Sequence, residues 1–177
     1  MGLAVHLTDH HRITGLRAVA HGRSTELAWP SHPRFPSYGY TVRRRTLDQL
    51  VADRASNTGA DLRTGTEATA PLFDDGILAG AKVRNVESGE ESELRARYLI
   101  IADGAGSPFG RSLGTWRNRA YPQGVAIRGY YESPDHDSPV AESVFDVRDH
   151  LDTQVPGYGW IFPVSYTHLT LPTTPYV

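Results

Sequence analysis

The order of apolar and polar positions divides the chain into short strand-like runs around one clear helix. Over residues 45–60, Leu47, Leu50, Val51, Arg54 and Ala55 recur at i, i+3, i+4 spacing on one face. Thr46 is placed to cap the start of this helix and Gly59 to end it. Residues 3–11 have enough apolar spacing for a short helix. Residues 15–30 hold two short runs around His21-Gly22-Arg23-Ser24, a hairpin pattern. The proline- and aromatic-rich stretch HPRFPSYGY, 32–40, reads as a connection. Strands are predicted over 61–70, 77–88 and 93–103, separated by Asp-Asp-Gly and Ser-Gly-Glu turns. The run Tyr98–Ala102 does not alternate, which predicts a strand buried on both faces, as in a parallel sheet. Further strands are predicted over 124–133, 141–147 and 157–164.

Composition narrows the class. At 177 residues the chain has the length of about one domain, and 39% hydrophobic with 21% charged residues is ordinary for a globular protein. A net charge of −2 leaves no nucleic-acid footprint. No apolar run approaches the ~20 residues that a spanning helix needs. The N-terminal stretch has no basic region ahead of an apolar core, so it does not read as a secretory signal. With no cysteine, disulfides, iron–sulfur clusters and thiolate zinc sites are excluded. His6, His10 and His11 fall in one predicted helical stretch, but the sequence offers them no further ligand, so no metal site is assigned.

The candidate chemistry lies where the Tyr98–Ala102 run ends, in ADGAGSPFGRSLG. Gly104, Gly106 and Gly110 mimic a dinucleotide fingerprint. Three features oppose that reading. Pro108 and Phe109 interrupt the place of the phosphate-binding helix, and Gly114 leaves room for only one or two turns. No carboxylate ends a second strand ~20 residues on; Glu132 lies too far away. Ser107 stands in Gly-Ala-Gly-Ser-Pro, which is not a nucleophile elbow. What the residue types do suit is a tight turn approached by a ligand. Asp103 can accept bonds that fix the turn, and Gly104 and Gly106 permit backbone that a side chain would forbid. Ser107 and Arg111 can serve the start of the short helix.

This Asp-Gly turn resembles that of the geranylgeranyl reductase family of FAD-dependent oxidoreductases. The resemblance covers about residues 3–164. It continues in VRRRTLDQLVADRASNTGADLRTGTEA, which is similar to the family's arginine, two residues, Leu-Asp, helix, Gly-Ala and strand. It also includes the aromatic pattern Tyr158, Trp160, Phe162, Pro163, and FPSYGY and GVAIRGYYES resemble most the branch acting on menaquinones. The resemblance implies an FAD site with Arg44, Ala68, Asp103 and Gly104 around the cofactor. It implies that Tyr158, Trp160 and Phe162 line the path of a long apolar tail; their i, i+2, i+4 spacing puts them on one side of a strand, where a plain core face is the competing reading.

The implied fold is α+β: part of an α/β FAD-binding fold of the glutathione-reductase-like type, plus part of an antiparallel substrate sheet. Residues 1–120 are expected to form a partial FAD-binding domain lacking the family's N-terminal G-x-G-x-x-G unit, and 121–164 a partial substrate-binding sheet. Residues 165–177, rich in threonine and without Asp, Glu, Lys or Arg, read as a non-native tail. The implied activity is saturation of a double bond in the isoprenoid chain of a menaquinone or geranylgeranyl lipid. It would take place in the cytoplasm, with peripheral contact at the inner face of the membrane. The alternatives are part of an FAD-dependent aromatic hydroxylase, or an inactive module that binds no flavin. Neither the catalytic residues nor the electron donor are legible.

Overall fold

The computed structural model describes residues 4–116, 120 and 124–164; the expected tail over 165–177 lies outside them. In chain order the elements are α1 (Ala4–Leu7), β1 (His11–Ile13), β2 (Gly15–Ala20), β3 (Arg23–Ala28), β4 (Gly39–Thr41) and α2 (Arg44–Asn57). Then come β5 (Thr66–Asp74), β6 (Ile77–Asn85), β7 (Glu91–Arg95), α3 (Pro108–Ser112), β8 (Val140–Val144) and β9 (Gly159–Ile161). They fall into two compact units, Met1–Ala60 with Pro122–Val177, and Asp61–Tyr121.

In the first unit, the expected hairpin forms between β2 and β3, from Gly15↔Ala28 to Ala20↔Arg23. His21 and Gly22 turn it with φ of 51° and 69°, the positive pair that matches strand twist. β2 then pairs in parallel with β8, and β8 antiparallel with β9, giving the order β3-β2-β8-β9. Arg17 stands opposite both Glu26 and Glu142 in this register. Its guanidinium bonds Glu26 at 2.7 Å and Glu142 at 2.5 Å. The bonds to Glu26 and then Glu142 raise its pKa above the ordinary arginine value, against the opposing cost of burial. β1 and β4 form a separate two-stranded ladder.

Helix α2 begins at Arg44, with Arg43 extended (φ −58°, ψ 134°) as the boundary residue. Thr46 therefore lies inside the first turn and caps nothing; no side chain caps this helix. The first turn is braced instead by Arg44 Nε donating to Asp48 Oδ1 at 2.6 Å. The end is as expected, with Thr58 at the cap and Gly59 at φ 97° beyond it. The N-terminal helix stops at Leu7, so His10 and His11 leave it. His11 sits on β1, where its ring nitrogen Nε2 bonds the Ser138 carbonyl at 2.7 Å.

The second unit is a meander in the order β5-β6-β7. β5 starts and ends later than predicted because Pro71, Leu72 and Phe73 continue it to the Asp75-Gly76 turn. Pro71 is tolerated there because β5 is an edge strand. Phe109 of α3 packs on Ala81 and Val83 of β6, with Leu94, Leu99 and Leu113 around them.

Two predicted strands are corrected. Tyr98–Ala102 forms no strand, and Tyr98 and Ile100 are 86% and 90% exposed. A run that is apolar on both faces becomes a strand only when neighbours bond both its edges, and none flanks it among the described residues. Residues 124–133 likewise join no sheet and do not pair with β9. β9 pairs instead with β8, and the other edge of β8 is taken by β2, more than a hundred positions earlier.

Asp74, at the end of β5, pairs with Arg95 at the end of β7. The hydrogen bond from Arg95 lowers the Asp74 pKa, with partial burial opposing it. A carboxylate with a depressed folded pKa contributes stability above its unfolded value, about 3.9, and loses it as pH falls through the folded one. Asp74→Asn is therefore expected to melt slightly below the parent at about pH 7, with the gap narrowing as the pH falls below the unfolded value of about 3.9. Melts across that range check it; a gap that persists in acid would refute the assignment.

Candidate functional site

The Asp-Gly turn belongs to the second unit. Gly104 has φ 95°, a conformation that an L side chain rarely adopts. Ser107 donates its hydroxyl to Asp103 Oδ2 at 2.7 Å and accepts the Gly110 N–H at 2.7 Å, so one buried oxygen both caps α3 and holds the Asp103 carboxylate. The Ser107 N–H closes the turn on the Gly104 carbonyl at 3.1 Å. Arg111 reaches back to the Gly106 carbonyl at 2.5 Å. Pro108 opens a helix of only five residues, within the one or two turns that the sequence allowed. Ala68 lies elsewhere in this unit, on β5 opposite Val83 at a break in register.

Ser107→Ala removes the cap acceptor and the bond to Asp103 together. The expected loss is about 1–2 kcal/mol, with faster amide exchange at Gly110. Ser107→Thr, which keeps the hydroxyl, should restore both, and unchanged Gly110 protection in the alanine variant would contradict the geometry.

The first unit holds a cleft of about 330 Å³ beside the start of α2. Ile13, Tyr40 and Leu47 contribute apolar and aromatic surface, Arg44 and Arg128 cationic groups, and Phe162 an aromatic edge. The Thr41 hydroxyl donates to the Pro163 carbonyl, tying β4 to the end of the aromatic strand. Tyr158, Trp160 and Phe162 form a continuous row: Tyr158 meets Trp160 edge-on at 5.8 Å and Trp160 stacks on Phe162 at 5.4 Å. Phe145 extends the row beyond Tyr158 at 6.4 Å. Arg44, expected beside the cofactor, and Phe162, expected beside the substrate, thus line one cleft. Asp103, Gly104 and Ala68 belong to the other unit.

Sequence reasoning missed Arg128 and Tyr130, which line the same cleft, because it placed them in a strand. The adjacent guanidinium and phenol at i, i+2 were the available signal. FAD carries a diphosphate and two planar ring systems. A cleft with guanidinium groups, tyrosine and phenylalanine rings and aliphatic surface has side-chain chemistry that suits such a group.

Residues 4–143 match the family described as FAD binding domain. The chain is 40% identical over 165 residues to menaquinone reductase of Mycobacterium tuberculosis, covering 93% of this chain and 39% of that protein. It therefore spans about two fifths of the length of that curated relative. A geranylgeranyl bacteriochlorophyll reductase-like protein from Thermoplasma acidophilum superposes with a TM-score of 0.71 at 24% identity, over 93% of this chain and 40% of that one. The flavin-dependent halogenase CmlS superposes with a TM-score of 0.75 at 18% identity, over 98% and 32%. These likenesses establish a partial α+β flavoprotein fold, and the match over most of the chain places it in the FAD binding domain family, with FAD as the cofactor.

Proposed function

We propose that this chain is part of an FAD-dependent reductase that saturates a double bond in an isoprenoid tail, that of a menaquinone or geranylgeranyl lipid. The observation that carries the reading is the row Tyr158–Trp160–Phe162, whose last ring lines the cleft that Arg44 also lines. Such a row offers a long apolar tail successive ring faces and edges. The similarity to a menaquinone reductase supports the same substrate class.

In this reading Arg44 contributes a cation to the cofactor, and Asp103, fixed by Ser107, sets the turn in which Gly104 lets the cofactor approach the backbone. Ala68 contributes backbone on an edge strand. Tyr158, Trp160 and Phe162 align the tail and exclude water. FAD, when bound and reduced, would supply the hydride, and water or a side chain the proton; the protein supplies orientation. Among the described residues no helix is long and apolar enough to cross a membrane; peripheral contact at the inner face of a membrane is proposed from the isoprenoid substrate class alone.

The share of the relative that is covered favours a second reading for the chain taken alone: a partial site with weak FAD affinity and no turnover. The test is to incubate the chain, and separately a protein of the relative's full length that contains it, with FAD, a chemical reductant and a menaquinone. Mass spectrometry then reads whether the tail gains two hydrogens. Gain only in the longer protein supports both readings. No gain in either, with FAD bound, would refute the substrate assignment.

A further inference from the structure

The cleft continues into a second, more open hollow of about 570 Å³, and Arg44, Arg128 and Tyr130 line both. Four guanidiniums, Arg43, Arg44, Arg45 and Arg128, border the pair of hollows, against a single lining carboxylate, Asp48, among the described residues. Asp48 is bonded to Arg44 Nε at 2.6 Å, which takes one of five N–H groups on that guanidinium. Arg128 makes no ion pair with any described residue; its guanidinium carbon lies 5.5 Å from the Tyr130 ring centre. The charge of Arg128, without an ion pair among the described residues, therefore sits at the junction of the hollows, beside aromatic rings. A ligand with two negative charges between planar ring systems complements that arrangement, because each guanidinium offers paired N–H donors in the geometry of phosphate oxygens.

We propose that Arg128 is a second cationic contact for FAD, binding its diphosphate beside Arg44, with Tyr130 as the adjoining ring wall. This rests on reading the cleft as the cofactor's. It gives residues 124–133 a role that their expected place in a substrate sheet did not. The contact is electrostatic and specific to the phosphates, so a phosphate-free flavin does not use it. Arg128 binds and positions; it carries no chemistry on the substrate.

The experiment uses the 177-residue chain, labelled for the arginine side-chain Nε–H signals and titrated with ADP to millimolar concentration. Riboflavin is the phosphate-free probe and inorganic diphosphate the ring-free one. The expected result is that ADP shifts the Arg44 and Arg128 signals and riboflavin does not shift Arg128. Arg128→Gln should weaken ADP binding about tenfold and flatten its salt dependence, while Arg128→Lys recovers part of the affinity. Unchanged backbone spectra in both variants show that the fold is kept; a variant that unfolds is replaced by the wild-type shifts as the deciding readout. Shifts at Arg44 without Arg128, or an unweakened Gln variant, would overturn the inference and leave the cleft as a cofactor site. Inorganic diphosphate binding as tightly as ADP would overturn it by showing a simple anion site. No response at either arginine would overturn the inference and the cofactor reading of the cleft together.

Discussion

Gly80→Ala is expected to break the pairing of β6 with β7. Gly80 is buried in β6 opposite Arg95, next to the register shift that sets Leu72 against Gly80 and Phe73 against Leu78. Its φ is 155°, and a Cβ there would lie 2.0 Å from the Leu94 carbonyl oxygen and 2.9 Å from the Arg95 Cα. Both neighbours are backbone, so no side chain can swing away. Either the strands separate or the bulge is lost, and each outcome breaks ladder bonds that water replaces poorly in a buried strand. The expected cost is about 3 kcal/mol or more, above the usual range for an added methyl because the clash is with main chain. Amide exchange along Glu91–Arg95 should rise toward that of an unpaired strand. Retained protection there, with stability within ~0.5 kcal/mol of the parent, would show that the approach of β7 to Gly80 is wrong.

Phe109→Ala is expected to have an effect of the same order by the opposite route. Phe109 is 5% exposed and is the large member of the buried cluster of the second unit, with Ala81 and Val83 as the other two. Its removal leaves a void that two small residues on a strand cannot fill. Transfer and cavity terms together amount to about 3–5 kcal/mol. So small a unit has little stability in reserve, so the loss should unfold α3 and release the Asp-Gly turn that Ser107 holds to it. Phe109→Leu, which fills much of the space, should cost markedly less. Denaturant melts together with exchange at Gly110 read both effects. Equal melting of the alanine and leucine variants would mean that the ring is not the packing centre.

These two positions show what kinds of information the chain carries locally. The glycine of the Asp-Gly turn, the brevity of α3 and the Ser107 cap were legible because each depends on residues within a few positions. The hairpin of β2 and β3 and the end of α2 at Gly59 were legible for the same reason: a positive φ at Gly22 or Gly59 is a local demand that only certain residues meet. The row of Tyr158, Trp160 and Phe162 follows from period-two alternation alone, although only Gly159–Ile161 forms the strand. The cap of α2 was misjudged by three positions, Thr46 for Arg43, because Arg43 and Arg44 carry no capping pattern; the helix is braced by a side-chain pair, Arg44 with Asp48, that propensity does not report.

The sequence by itself determined the turns, the helix span, the aromatic periodicity and the family motifs, since these are set by dihedral preference and spacing along the chain. Only the tertiary structure decided which strands became strands. The apolar run at Tyr98–Ala102 and the stretch 124–133 have strand-like composition but join no sheet among the described residues. β8, by contrast, is completed by β2 from far away in the chain. The same long-range pairing set Arg17 between Glu26 and Glu142, and packing around β4 and α2 brought Arg44, Arg128 and Phe162 to one cleft. Backbone hydrogen bonds and shared cavities are properties of pairs of segments, so no reading of either segment alone contains them.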